Sequence, residues 1–326
     1  MKKKLIILII IISFNNLSGQ ITELEKELKK KNKDSLNGWS FNGLASINFS
    51  QTALINWASG GENSISGHGI FNINANYLKN KNSWDNSLDL MYGMFIEGKK
   101  KLKKTDDKIE LFSKYGREFS KNLYISSLLD FKTQMTPGYN YPNDSLIISD
   151  FMSPAYLYLA AGIDYKPFDF LTAFISPITG KFTFVYNQSL ANNGAFGVEP
   201  AIYDEHGNLL KKGKNSRSEI GGYIRLAFDK EILTNVTLKS KIDLFSNYLY
   251  KPQNIDIDWE LLISMKINKY ITVSISTRLI YDDDVMIEID SNNDGIVDKK
   301  GPRIQFKEIF GIGFSYKFDK KRVSVD

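Results

Sequence analysis

The chain contains no cysteine. It therefore forms no disulfide, does no thiol chemistry and cannot carry the lipid anchor of a lipoprotein. Many exported proteins are stapled by disulfides, whereas this one must rely on backbone pairing and packing. Histidine is scarce, with only His68 and His206. Beyond the first twenty residues no apolar run approaches the ~20 residues that a membrane helix needs. Nor does one sign of charge dominate. The formal charge is +5, and the three lysines of residues 1–20, a stretch without acids, account for three of it, leaving +2. A nearly balanced chain gives no electrostatic reason to expect a nucleic-acid partner.

What is present begins with MKKKLIILIIIISFNNLSGQ. Three lysines, an apolar run from Leu5 to Ile12, and the small or polar Ser18, Gly19 and Gln20 have the layout of a cleaved secretory signal peptide. Residues 1–20 are assigned to it. Residues 21–38 are expected to be a periplasmic N-terminal segment, either a short polar helix over 21–36 with Ile21, Leu24 and Leu28 on one face or a frayed tail.

From Trp39 the hydrophobic period becomes two. Phe71, Ile73, Ala75 and Tyr77 alternate with Ile70, Asn72, Asn74 and Asn76. Trp84, Leu88, Leu90, Tyr92 and Met94 alternate with Asp85, Ser87, Asp89 and Gly93. The pattern continues to Phe310, Ile312, Phe314, Tyr316 and Phe318, which oppose Gly311, Gly313, Ser315 and Lys317. Segments of ~10 residues, apolar outside and polar inside, mark transmembrane β-barrels. About twelve strands are predicted, near 40–53, 65–79, 84–97, 108–118, 123–135, 153–166, 170–187, 216–229, 234–248, 255–267, 270–281 and 303–318. Pro177 and Gly180 make the seventh the weakest. A soluble β-sandwich or barrel also alternates, but these polar faces are rich in Gly, Ser and Asn, and no strand reads as an apolar core.

The fold class expected is thus all-β: an antiparallel up-and-down transmembrane barrel over 39–318, with a polar C-terminal tail at 319–326. The links support it. Asn80–Ser83, Phe119–Asn122, Pro167–Asp169, Lys230–Thr234 and Asn268–Tyr270 are short, and most of the alternate links are long. Bacterial barrels have short periplasmic turns and long outer loops. Tyr77, Trp84, Phe119, Tyr165, Phe228, Tyr316 and Phe318 fall at the short-turn ends, where amphipathic rings favour the membrane interface.

Asn56-Trp57-Ala58-Ser59-Gly60-Gly61-Glu62, Trp84-Asp85-Asn86, Lys114-Tyr115-Gly116, Ser176-Pro177-Ile178-Thr179-Gly180-Lys181, Ile280-Tyr281-Asp282-Asp283-Asp284 and Gln305-Phe306-Lys307-Glu308 carry a resemblance to a domain-of-unknown-function family of Gram-negative outer-membrane β-barrels. The resemblance covers roughly residues 40–318. It implies a membrane barrel in the outer membrane and brings no activity and no catalytic residues.

Three local features could carry chemistry. Asp290, Asn292, Asp294 and Asp298 fit D-x-N-x-D-G-x-x-D, with side-chain oxygens at alternate positions before Gly295, as in a loop around calcium. The twelfth position, where an EF-hand needs Glu, is Gly301, so the loop is incomplete, and a polar turn built of Asn, Asp and Gly explains the same residues. No other cofactor is expected. Lys99, Lys100, Lys101, Lys103 and Lys104 crowd one outer loop and could meet lipopolysaccharide phosphates. Ser66 and His68 share a strand face, which invites comparison with twelve-stranded outer-membrane phospholipases. Their parity places both in the lumen, whereas that chemistry needs them to reach lipid on the outer surface, so no enzyme is expected.

The inward faces carry both signs: Asp89, Glu110, Lys114, Asp130, Lys132, Asp164, Arg225, Lys239, Lys241, Asp243, Asp258, Glu260, Lys266 and Arg278. A dense mixed set can pair across a narrow lumen and close it, whereas a selective pore more often shows a ring of one sign. The function expected is a porin-like, narrow channel for small polar solutes, with Tyr156 and Tyr158 in its lining. The alternative is a plugged structural or adaptor barrel that binds other envelope proteins through loops such as 188–215. The partners expected are outer-membrane lipids, lipopolysaccharide and, for the adaptor, those envelope proteins.

Overall fold

The computed structural model describes residues 38–55, 61–141, 143–268, 270–289 and 298–323. The signal peptide and the helix expected over 21–36 lie outside them.

Alternation at period two puts one set of side chains on each face of a strand. Here it does so twelve times. The strands are β1 (Gly38–Thr52), β2 (Ser64–Lys79), β3 (Asn82–Glu97) and β4 (Lys103–Ser120). Then come β5 (Leu123–Thr133), β6 (Ala155–Phe168), β7 (Leu171–Phe184) and β8 (Ser216–Leu233). The last four are β9 (Val236–Asn247), β10 (Ile255–Lys266), β11 (Ile271–Tyr281) and β12 (Gln305–Val323). Each pairs antiparallel with the next, and β12 pairs back onto β1 to close the ring. A closed ring leaves no edge strand, so its ladder groups are satisfied without water, as a spanning sheet requires. The chain is a transmembrane β-barrel of the outer-membrane type.

The outward side chains are apolar and bare: Ile47, Phe314 and Ile178 are 68%, 71% and 70% exposed. In water such a continuous apolar surface would be a liability, whereas lipid covers it. Polar groups on this face find partners across the strands. Trp84 Nε1 donates to Ser113 Oγ at 2.9 Å, and Ser113 Oγ donates to Asn86 Oδ1 at 2.8 Å. Trp259 Nε1 likewise donates to Ser240 Oγ at 3.0 Å.

The turns follow the expected asymmetry. β2–β3, β4–β5, β6–β7 and β8–β9 are joined by two residues each, and three of these links place Asn at positive φ: Asn80 at 53°, Asn122 at 62° and Asn235 at 66°. Asparagine tolerates that left-handed region better than branched residues do. Aromatic clusters form at this end, with Trp39 5.3 Å from Tyr77 and 5.6 Å from Trp84, and Phe170 5.1 Å from Phe168 and 5.6 Å from Phe228.

Three differences from the expected elements have local causes. β4 starts at Lys103 rather than 108, because a bulge at Thr105, opposite Gly93 and Met94 of β3, lets Met94 and Phe95 pair with Lys104 and Lys103. β12 continues past Phe318 into the expected tail, because the start of β1 offers partners: Phe41 pairs with Lys320 and Trp39 with Val323. The seventh strand is complete despite Pro177. It bulges there, since the β6 register jumps from Ile178 to Ile175 and the β8 register from Thr179 to Ser176. Proline has no N–H to give a ladder and is tolerated at such bulges. Ser176 Oγ sits 2.8 Å from the carbonyls of Ala161 and Ile178 and accepts from Thr179 Oγ1 at 2.9 Å, fastening the extra residue.

Gly162 faces that bulge. A Cβ added there would lie 2.1 Å from the Ile175 carbonyl oxygen. The clash is with backbone, so no side chain can swing away. Gly162→Ala is expected to destabilise the barrel by about 1–3 kcal/mol. Urea titration of folded and unfolded bands on a cold gel would measure it, and an unchanged midpoint would refute the close approach.

The outer links are long. Loop 134–154 carries a small hairpin, Gly138–Asn140 with Asn143–Ser149. Loop 185–215 carries a short helix α1 (Gln188–Asn192), whose Ser189 and Leu190 N–H groups donate to Asn187 Oδ1 at 3.0 and 3.4 Å. Val185, Leu190, Ala191 and Val198 form a separate small core that takes in Ile147 from the other loop and Phe196. The two loops thus build one cap at the outer end.

Candidate functional site: the charged lumen

Beside an apolar cluster of Leu128, Ala160, Phe174, Tyr223 and Phe245, many of the inward side chains are charged, buried and paired. At mid-depth, β4 contributes Lys108 and Glu110, β5 Asp130 and Lys132, and β8 Arg225. β9 contributes Lys241 and Asp243, β10 Asp258 and Glu260, and β11 Arg278. Arg225 is the hub. Its Nε donates to Asp243 Oδ1 at 2.5 Å and its Nη2 to Asp243 Oδ2 at 2.6 Å and to Asp130. Its guanidinium lies 4.7 Å from the Phe112 ring centroid, and the Tyr223 hydroxyl donates to Asp243 at 2.7 Å. Lys132 lies 3.0 Å from both Asp243 and Asp258, and Arg278 grips Asp258 through two bonds of 2.9 Å.

These contacts cross the lumen. β4 and β10 are six strands apart in a ring of twelve, on opposite walls. Yet Lys108 Nζ of β4 is 2.6 Å from Glu260 of β10, and Lys241 of β9 is 2.5 Å from Glu110 of β4. Side chains from opposite walls meet, so this layer closes the barrel.

A second layer lies nearer the short turns. Lys114 is 2.8 Å from Asp164, and Lys166 is 2.7 Å from Asp85. An asparagine row continues it, with Asn72 donating to Asp89 at 2.6 Å and Asn74 to Asn42 at 2.8 Å. Towards the outer end, Lys181 pairs with Asp256 at 2.6 Å and Asp282 at 3.2 Å. His68 Nε2 is 2.9 Å from Asp106, whose other oxygen is 2.5 Å from Lys307 Nζ.

Of the inward charges read from sequence, nine join the mid-depth layer, while Lys114 and Asp164 form the second. Asp89 faces Glu110 across the β3–β4 ladder and accepts from Asn72. Lys239 and Lys266 stand at the rim instead, Lys239 on Asp229 at 2.8 Å and Lys266 exposed. Lys108 and Asp256 were missed although they share parity with Glu110 and Asp258. Lys181 was missed because the bulge at Pro177 resets parity. Phe174 and Ser176 face inward before it, Thr179 and Lys181 after it.

His68 turns to Asp106, and among the described residues no hydrogen bond links it to Ser66. The lysine loop is answered locally. Lys100 meets Glu97 at 2.8 Å, Lys104 meets Asp107 at 2.9 Å, and Lys101 meets Asp144. The hydrogen bond from Lys101 holds the half-buried Asp144 carboxyl below its ordinary value. That loop therefore offers less free positive charge to phosphates than its lysine count implies. Asp290, Asn292 and Asp294 of the calcium reading lie outside the described residues. Asp298 is described, exposed, just before a small hairpin joining Lys299–Gly301 to Ile287–Ile289.

With this geometry in place, comparison with known proteins bears out the family resemblance. Residues 49–139 match the family described as "Protein of unknown function (DUF3078)". That stretch holds three of the six segments that carry the resemblance: Asn56–Glu62, Trp84–Asn86 and Lys114–Gly116. No curated protein matches. Among solved structures, the chain is similar to the translocator domain of the autotransporter NalP from Neisseria meningitidis. The identity is 10%, over 90% of this chain and 93% of that one, with a TM-score of 0.35. It is also similar to an outer membrane channel from Pseudomonas putida F1, at 10% identity over 88% of this chain and 98% of the other, with a TM-score of 0.37. For Salmonella typhi OmpF in complex with daunomycin the values are 9%, 87%, 98% and 0.25.

Proposed function

We propose that the barrel is a narrow passage for small polar solutes, exported by way of the segment 1–20 and held shut at rest by the mid-depth ion-pair layer. The observation that carries this reading is the choice of filler. A barrel meant only as a plug can be filled with apolar side chains, and exchanging buried ion pairs for apolar groups is often neutral or stabilising. Here five cations and five carboxylates share that place with a smaller apolar cluster of Leu128, Ala160, Phe174, Tyr223 and Phe245, and polar groups reach the layer from both sides: asparagines and serines towards the short turns, Thr133 and Gln134 towards the outer end. Paired charges can part and pair with water or a polar solute, which packed leucines cannot do.

The second reading is the plugged adaptor. It is favoured by how completely the layer is paired and by the folded cap over loops 134–154 and 185–215. Single-channel recording in a planar bilayer separates the two. The wild-type barrel is expected to show long closed periods with rare discrete openings. Lys108→Ala combined with Glu260→Ala removes one of the wall-to-wall contacts without changing net charge and is expected to make openings more frequent and longer. Silence from both, with folding shown by circular dichroism, would discard the passage and leave the adaptor.

A further inference from the structure

Above the ion-pair layer the lumen widens into a cavity of about 250 Å³. Tyr156 and Tyr158 of β6 and Phe245 of β9 line its walls, and Phe196 reaches in from the cap. Tyr158 lies 5.6 Å from Tyr223 and 6.0 Å from Phe245, so the rings form one continuous surface. Phe196 adopts φ 57° and ψ 28°, a left-handed conformation that a bulky residue takes only when its surroundings enforce it. Phe196 packs against the cap core of Leu190 and Val198 in that conformation. The strained residue is the one that reaches the cavity.

The remaining lining is acidic at the outer end. Asp256 and Asp282 line the cavity, and oxygens of Asp256, Asp282 and Asp283 lie within 4.8 Å of one another. One ammonium answers them. Lys181 Nζ is 2.6 Å from Asp256, 3.2 Å from Asp282 and 3.9 Å from Glu219. It also stands 5.3 Å from the Phe245 ring centroid and 6.0 Å from that of Tyr156. The protein thus holds one of its own ammonium groups among carboxylates and aromatic faces, the surroundings in which organic cations are recognised. The charges there do not balance. Arg217 serves Glu219 at 3.1 Å and Asp284 at 2.7 Å, and Asp283 accepts from the Asn254 amide at 2.6 Å. Among the described residues, five carboxylates have two cations in direct contact, Lys181 and Arg217, with Lys251 further off beside Asp283 and Asp284.

From the cavity, its rings and this imbalance we propose that the vestibule binds a small organic cation, an ammonium group carrying a flat apolar body. The body lies on Tyr156, Tyr158 and Phe196, and the ammonium joins Asp256 and Asp282 beside Lys181. A neutral solute would leave the excess charge unanswered, and an anion would add to it. A bare divalent ion suits the site less well, because aromatic walls supply no oxygen ligands. This names the solute class for the passage proposed above and rests on that reading only for the solute's onward movement.

Isothermal titration calorimetry on the folded, detergent-solubilised barrel tests the site without requiring conduction. The probe is phenethylammonium chloride, with 2-phenylethanol and calcium chloride as comparisons. Saturable binding of the ammonium at one site is expected, with neither comparison competing. Asp256→Asn with Asp282→Asn should abolish it. Phe196→Gly, which relieves the backbone rather than straining it, should leave the fold intact and weaken binding about tenfold, the equivalent of ~1.4 kcal/mol. Absence of binding to folded wild-type barrel, equal binding of 2-phenylethanol, or displacement by calcium would overturn the proposal. Binding as expected by a barrel that is silent in bilayers would keep the site and remove the passage.

Discussion

Arg225→Ala is expected to destabilise the folded barrel by about 3–5 kcal/mol, the cost of breaking a buried ion pair from one side. Arg225 is 4% exposed and makes two bonds of 2.5 and 2.6 Å to Asp243 as well as its bond to Asp130, which is wholly buried. Truncation leaves those carboxylates with Lys132 as their main remaining cation, 3.0 Å from Asp243 and 3.5 Å from Asp130. It also strips the Phe112 ring of its cation. The cost lies in the orphaned charges more than in the lost attraction, so relieving them should restore much of it. Arg225→Met combined with Asp130→Asn and Asp243→Asn is expected to recover most of the loss. Urea unfolding in lipid vesicles, followed by tryptophan fluorescence, gives both numbers. A loss below about 1 kcal/mol, the scale of an exposed pair, would mean that water fills the layer and that the ion pairs do not close the lumen.

The same layer shows what could be read from the chain before its fold was known. Period-two alternation fixes which face a side chain takes, so the inward position of Glu110, Asp130, Asp243 and Arg278 was legible strand by strand. Ring closure and the sorting of short and long links were legible for the same local reason. The partner of each charge was not. Lys108 meets Glu260 across 152 residues of sequence, and that pairing depends on barrel width and strand stagger, which no local pattern encodes. Lys181 escaped because one extra residue at Pro177 reverses the count that parity depends on. The cap escaped for a different reason. Val185, Leu190, Ala191 and Val198 follow neither the strand period nor a long helical one, and their small core exists only where two loops meet.

The lipid-facing surface leads to the second large effect. Leu111 stands mid-way along β4, outward and 46% exposed, between Leu88 of β3 and Phe131 of β5. Leu111→Arg is expected to destabilise the barrel by about 2–4 kcal/mol, because a guanidinium at the bilayer midplane has nothing to replace its water. Phe119 lies on the same outward face at the short-turn end of that strand and is 51% exposed. Phe119→Arg is expected to cost only about 0–1 kcal/mol, since the side chain reaches the interface there. Depth is what distinguishes the two sites, as both are exposed strand positions in the protein alone. In a barrel surrounded by water each substitution would stay within about 0.5 kcal/mol. Refolding both variants into vesicles and measuring their unfolding free energies therefore tests the membrane assignment directly. Equal, small effects would refute it. A large effect at residue 111 with a small one at residue 119 would locate the apolar band along β4 and place the ion-pair layer, through Glu110 beside it, at the centre of the membrane.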